Sequence, residues 1–251
     1  MELSDTQRRE FMEQGYLHVA NVVPPMMIDA ALRAINHSLG EGIDLAKIQT
    51  LRAQSYCPEL QRDPVIIDLY NQTPASQLAQ TLIGKGKVKP VGGGQIALRF
   101  PGMQAHPAEP HPHLDGMYTP TNGVPEGKIA SFTMLLGVML SDVSAPFSGN
   151  LAVWPGTHRL YENYFREHGP ESLFTGMPPV DLLQPVHMLG KAGDVVLCHY
   201  QLAHAAVQNV SPHVRYAIYF RLHHINHDAQ WKEAMTNIWL EWDGMQELGT
   251  A

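Results

Sequence analysis

The chain has 251 residues, 44% hydrophobic and 16% charged, with a formal net charge of −7. That composition supports a sizeable buried core and excludes a disordered chain, and a negative charge with no Lys/Arg run argues against nucleic acid as a partner. The longest apolar run, around "MLLGVML", is too short to cross a bilayer, and "MELSDTQRREF" lacks the pattern of a signal peptide; no membrane partner and a cytoplasmic location are expected.

In chain order, "LSDTQRREFMEQG" reads as a helix that Ser4 or Asp5 can cap and Gly15 can end. "YLHVANVV" follows as a strand. "PPMMIDAALRAINHSLG" is a second helix, with prolines at its start and Gly40 just past its end. Residues 41–60 show no clear periodicity, and "DPVIIDLYNQ" and "ASQLAQTLIG" are two further helices. After Lys85 the texture changes. "GQIALRF", "KIASFTMLLGVML", "NLAVW", "PVHML", "DVVLCHY" and "VRYAIYFRL" are short apolar stretches parted by Gly, Pro, Asn and Asp, the pattern of a barrel or sandwich. "HRLYENYFREHG" inserts a helix, and "AQWKEAMTNIWLEW" ends the chain as another. One domain is expected over 1–251: a mostly helical layer to residue 85, a β core over 86–224 and a helical segment over 225–251. Cys57 and Cys198 form no CxxC pair, so two buried free thiols are expected rather than a thiolate zinc site.

The chemistry concentrates in "HPHLDG", residues 111–116. Alternate residues of an extended chain share a face, so His113 and Asp115 present an imidazole and a carboxylate together. "GDVVLCHYQLAHAAVQN" offers a third ligand, His199 or His204. Two histidines and one carboxylate make a facial triad, which leaves three positions open on an octahedral ferrous ion for a bidentate 2-oxo acid and dioxygen. Arg215 lies eleven residues beyond His204, across the turn-forming Asn209, Ser211 and Pro212. If a hairpin with an even-numbered loop joins the flanking strands, Arg215 faces the same cavity and can hold a distal carboxylate with two parallel hydrogen bonds.

Taken together, "FMEQGYLHVANVV", "HPHLDG", "SGNLAVWPGTHR" and "GDVVLCHYQLAHAAVQNVSPHVRYAIYF" resemble the phytanoyl-CoA dioxygenase (PhyH) family of Fe(II)/2-oxoglutarate oxygenases, in its motif order and over nearly the whole chain. The resemblance implies a mainly β fold with flanking α-helices: a double-stranded β-helix, a cupin-like jelly-roll barrel. It implies His113, Asp115 and His204 as metal ligands and Arg215 as the partner of the 2-oxoglutarate C5 carboxylate. Some members add a hydroxyl two positions after the distal histidine, where this chain has Ala206; Thr133 is the expected substitute, and Gln95 occupies a region where members touch the cosubstrate with an amide. The implied activity is hydroxylation of an unactivated C–H bond of a small molecule, consuming O₂ and 2-oxoglutarate, with ascorbate as an accessory reductant. Asp115 fills the position that halogenases of this fold leave open for chloride.

Plainer roles stand beside these. His111 reads as a surface or supporting residue, His199 as a packing residue, and His158 and Trp154 as turn and core. Tyr219 and Arg221 share a strand face with Arg215 and fit either core or cavity, while Trp231, Trp239 and Trp242 pack a helix on the barrel. Two rival activities keep the barrel: a cupin-like metal-dependent hydrolase or isomerase, and a non-catalytic module that binds metal and 2-oxoglutarate. Substrate identity and oligomeric state are not written in the sequence.

Overall fold

The computed structural model describes residues 1–102 and 107–246. Helix α1 (Asp5–Gln14) starts at a capping box, in which the Ser4 hydroxyl accepts from the Gln7 N–H and the Gln7 side chain accepts from the Ser4 N–H; Gly15, at φ 78°, ends it. Strand β1 (Tyr16–Val19) follows directly. Helix α2 (Pro25–Gly40) runs through Gly40 and caps at Glu41, one residue beyond expectation. The stretch without periodicity holds a 3-10 turn at Leu45–Lys47, a short helix α3 (Ile48–Ala53) and a second turn at Pro58–Leu60. Helices α4 (Pro64–Asn71) and α5 (Pro74–Ile83) each begin with proline behind a side-chain cap, from Asp63 and Thr73.

The barrel follows: β2 (Gln95–Arg99), β3 (Met134–Met139), β4 (Leu151–Val153), β5 (Val186–His187), β6 (Val195–His199), β7 (His204–Ala206) and β8 (Arg215–Leu222), with α6 (Thr157–His168) between β4 and β5. One sheet has the order β1-β6-β3-β8-β2, the other β5-β4-β7, and every neighbouring pair is antiparallel. The two sheets form the jelly roll, and β1, from the N-terminal layer, completes one edge of the larger. Helices α7 (His227–Thr236) and α8 (Asp243–Gln246) close the described chain.

The alternation of side chains places the site. On β8, Ile218, Phe220 and Leu222 are fully buried against the N-terminal helices, together with Ile96 and Leu98 of β2 and Leu136 and Val138 of β3. Each such side chain is worth about 1.5–3 kcal/mol of burial. The odd-numbered residues therefore face the other way, into the barrel: Arg215, Ala217, Tyr219 and Arg221 on β8, Gln95, Ala97 and Arg99 on β2. The register Arg99↔Arg215, Ala97↔Ala217, Gln95↔Tyr219 aligns these two rows. A slip of one residue would drive guanidiniums into the helical layer and carry Phe220 into the barrel, so the apolar face fixes the polar one.

Three expectations are corrected. The strand expected from Lys128 begins only at Met134; before it, the Ser131 and Thr133 side chains bond to His227 and Glu241 of the C-terminal segment. The C-terminal helix stops at Thr236, and residues 237–242 form a turn that seats Trp239 and Trp242 around Phe11. Strands β7 and β8 belong to different sheets, so no hairpin joins His204 to Arg215; the two residues meet across the barrel.

Candidate metal centre

His113 and His204 are brought side by side by a short backbone pairing: His113 N donates to His204 O at 3.0 Å, and His204 N to His113 O at 3.1 Å. Only His113 of the "HPHLDG" stretch makes a bridge. The chain turns at Asp115–Gly116, where Gly116 takes φ 92° and a Cβ would strike Ala130 O at 2.6 Å. That turn aims Asp115 back at the two imidazoles. Tyr200 Oη donates to Asp115 O at 3.1 Å and holds the turn from below.

Asp115 Oδ1 lies 3.5 Å from His113 Nε2 and 3.6 Å from His204 Nε2. One ligand atom from each of the three residues falls within a 4.8 Å cluster, the only such group of three among the described residues. Ligands at about 2 Å from one ion on an octahedral face sit about 3 Å apart, so small rotations would complete the set. His204 Nδ1 is 3.0 Å from Leu202 O. A carbonyl only accepts, so Nδ1 donates there, and Nε2 is left as the ring atom that faces Asp115 and the metal position. The donor set thus suits a ferrous ion: two imidazoles, one carboxylate and no thiolate.

Arg221 secures the carboxylate from behind. Its Nε and Nη2 bind Asp115 Oδ2 at 3.0 and 2.7 Å, and its Nη1 binds Gln95 Oε1 at 2.9 Å. Burial by itself would raise the Asp115 carboxyl, but Arg221 and the bonds to His113 and His204 outweigh it and hold the group well below the usual range. For His204, burial disfavours the charged form, while the hydrogen bond to Asp115 more than compensates and raises it.

These residues open on a cavity of about 350 Å³. Arg215 is 4% exposed at its inner wall. Its Nε donates to Gly149 O at 2.6 Å and its Nη1 to Ala97 O at 2.9 Å; its Nη2 has no partner among the described residues. Gly149, at φ 73°, is wedged between two arginines: a Cβ there would lie 2.6 Å from Arg99 Cβ and 3.2 Å from Arg215 Cβ. Gln95 also lines the cavity, with its amide nitrogen donating to Ala53 O. Ala206 lines it too, and supplies no hydroxyl.

Thr133 is elsewhere. Its hydroxyl donates to Glu241 and accepts from His224 N, and it borders a separate small cavity beside His199 and Trp242. It does not line the ligand cavity, and its hydroxyl is taken up by Glu241 and His224 N. His199 is a packing residue: its Nε2 faces Ile238 O, its ring stacks on Trp242 at 5.1 Å, and burial, with His158 beside it, pulls its pKa down to about 3. His111 is exposed. Both cysteines are free and buried. Sequence reasoning left Arg221 undecided and passed over Arg52 and Arg99; the alternation on β2 and β8 was the signal that could have found Arg99.

No helix among the described residues is long and apolar enough to cross a membrane. The chain resembles the carbocyclase SnoK of nogalamycin biosynthesis, described as non-heme and α-ketoglutarate-dependent, at 21% identity over 87% of this chain and 84% of that one, with TM-score 0.54. It resembles the epimerase SnoN of the same pathway at 18% identity over 88% and 82%, TM-score 0.57. It also resembles HygX from Streptomyces hygroscopicus, solved with nickel and 2-oxoglutarate, at 16% identity over 90% and 88%, TM-score 0.58. At these identities the likeness is one of fold. No curated protein matches. The family model described as phytanoyl-CoA dioxygenase (PhyH) matches residues 11–217, spanning the layer, the ligand cluster and Arg215, and the chain belongs to that family.

Proposed function

We propose that this protein is an Fe(II)- and 2-oxoglutarate-dependent oxygenase that hydroxylates an unactivated C–H bond of a small molecule. The observation that carries the reading is the convergence of His113, Asp115 and His204 on one cavity wall, with the unpartnered Arg215 Nη2 in the same cavity. Membership of the PhyH family and the nickel- and 2-oxoglutarate-bound state of HygX support it.

Ferrous iron with 2-oxoglutarate and O₂ supplies the oxidising power for C–H cleavage, with succinate and CO₂ as coproducts. His113, Asp115 and His204 would hold the ion. Arg221 fixes the carboxylate so that Oδ1 faces the imidazoles while Oδ2 stays occupied. Arg215 would take the far carboxylate of the cosubstrate, its fork already oriented by Gly149 O and Ala97 O. Leu114, Leu135 and Leu151 line the cavity with apolar surface that sheds water. Asp115 would fill a coordination position itself, which favours hydroxylation over halogenation.

Because SnoK and SnoN are named for cyclisation and epimerisation, the outcome after C–H cleavage needs its own test. Anaerobic addition of Fe(II) and 2-oxoglutarate is expected to give a visible charge-transfer band, and air with substrate to give succinate and a product heavier by one oxygen. A hydrolase or isomerase gives no band. A non-catalytic module gives the band but no succinate.

A further inference from the structure

Among the described residues, four arginines line the cavity, Arg52, Arg99, Arg215 and Arg221, against one acidic residue, Asp115. Arg221 is neutralised by Asp115, and Arg215 is the proposed cosubstrate partner. Arg52 and Arg99 remain, and neither has an ion-pair partner among the described residues. The bound iron and the dianionic cosubstrate would cancel in charge, leaving that surplus in place.

The position of the pair is specific. A second cavity of about 360 Å³ adjoins the first, and Arg52 and Arg99 are the two residues that line both. Among the described residues, no carboxylate lines this second cavity. Arg99 Nη1 donates to Leu98 O, while its buried Nε has no partner among the described residues. Burial, with Arg215 and Arg52 nearby, brings Arg99 down to about 10, so it stays charged at neutral pH despite the repulsion. Arg52 belongs to α3, which is pinned over the opening by two bonds: Gln95 Nε2 to Ala53 O at 3.2 Å, and Gln54 Nε2 to Thr121 O at 2.9 Å. A chain of net charge −7 keeps two uncompensated guanidiniums where its two cavities meet, one of them with an orphaned buried donor. An orphaned charged donor is costly unless a ligand fills it.

We infer that the substrate carries an anionic group, a carboxylate or a phosphate-type group, which Arg52 and Arg99 clamp at the junction of the two cavities while its reacting carbon faces the metal centre. This deepens the oxygenase reading and rests on it. Arg99 supplies the buried wall of the clamp, and Arg52, an exposed side chain on the pinned helix α3, the outer one.

The test uses the full chain loaded with Mn(II), which does not turn over, and saturating 2-oxoglutarate. Phenyl phosphate, benzoate and neutral benzamide are titrated by calorimetry. At least one anion is expected to bind about tenfold or more tightly than benzamide, and more weakly as salt rises; the better anion assigns the group. Arg52→Gln and Arg99→Lys are each expected to weaken that anion by about tenfold while 2-oxoglutarate affinity holds. Equal binding of benzamide and both anions would overturn the inference. So would anions that bind only by displacing 2-oxoglutarate, or an Arg99→Lys loss that falls equally on the cosubstrate. Should Mn(II) and 2-oxoglutarate fail to bind at all, the oxygenase reading falls. The same titration of the ligand-free protein then decides the clamp: Arg52-dependent anion binding upholds it, and its absence rejects it. Arg52 is exposed at the rim, so its variant should fold even if an Arg99 variant does not.

Discussion

Replacing Arg215 by Met separates its structural and ligand-binding roles. Methionine keeps much of the stem volume but removes the donors to Gly149 O and Ala97 O. Each buried carbonyl left unpaired costs about 1–3 kcal/mol. Removing a fully buried guanidinium that has no carboxylate partner returns part of that cost. The net loss is about 2–4 kcal/mol, which for a chain of this size lowers Tm by about 4–16 °C. The larger effect falls on the cosubstrate. Truncating one side of a buried, hydrogen-bonded charge pair costs about 2–5 kcal/mol, so the Kd for 2-oxoglutarate should rise about 30-fold or more. Arg215→Lys retains the charge without the fork and should recover only part of this. The assay is an anaerobic titration of the Fe(II)-loaded protein with 2-oxoglutarate, read at the charge-transfer band, beside a melting curve. A folded Arg215→Met protein with wild-type cosubstrate affinity would refute the assignment.

Three further predictions follow from the packing. Gly149→Ala places a methyl 2.6 Å from Arg99 Cβ at a left-handed φ, so it should cost about 1–3 kcal/mol in urea unfolding and weaken 2-oxoglutarate binding by displacing Arg215; unchanged values for both would contradict the wedge. Arg221→Met frees Asp115 Oδ2 and should reduce Fe(II) affinity about 10- to 100-fold, measured by equilibrium dialysis; unchanged affinity would show that the arginine merely sits nearby. His158 is fully buried, and burial pulls its pKa from 6.5 to about 4. As pH falls below about 6.5 the unfolded chain takes up the proton first, so stability drains away down to about pH 4, by about 3 kcal/mol in all. His158→Gln should flatten the decline of unfolding free energy between pH 7 and 5 compared with wild type; parallel curves would exclude the buried neutral imidazole as its source.

Much of this was legible from local patterns. The caps at Ser4, Asp63 and Thr73 and the proline starts marked the helices, because end chemistry is written within a few residues. The spacing of His113 and Asp115 brought the two groups together, although through a single bridge and a turn rather than a strand. The meeting of His204 with Arg215 was foreseen for the wrong reason. A hairpin was expected, but β7 and β8 approach from opposite sheets, a topology that loop length alone does not specify. The Thr133 hydroxyl is taken up by Glu241, 108 residues along the chain, a partner no local pattern reveals. Arg52 and Arg99 were missed because sequence distance hid their shared position; alternation on β2 turns Arg99 inward, but nothing local brings α3 to the cavity.

The measurement that tests the central claim most directly is anomalous X-ray diffraction from crystals loaded with Fe(II) under anaerobic conditions. The account predicts one anomalous peak, about 2 Å from His113, Asp115 and His204, and its loss in Asp115→Ala crystals. A peak elsewhere, such as beside His223 and His227, or none at the triad, would contradict it.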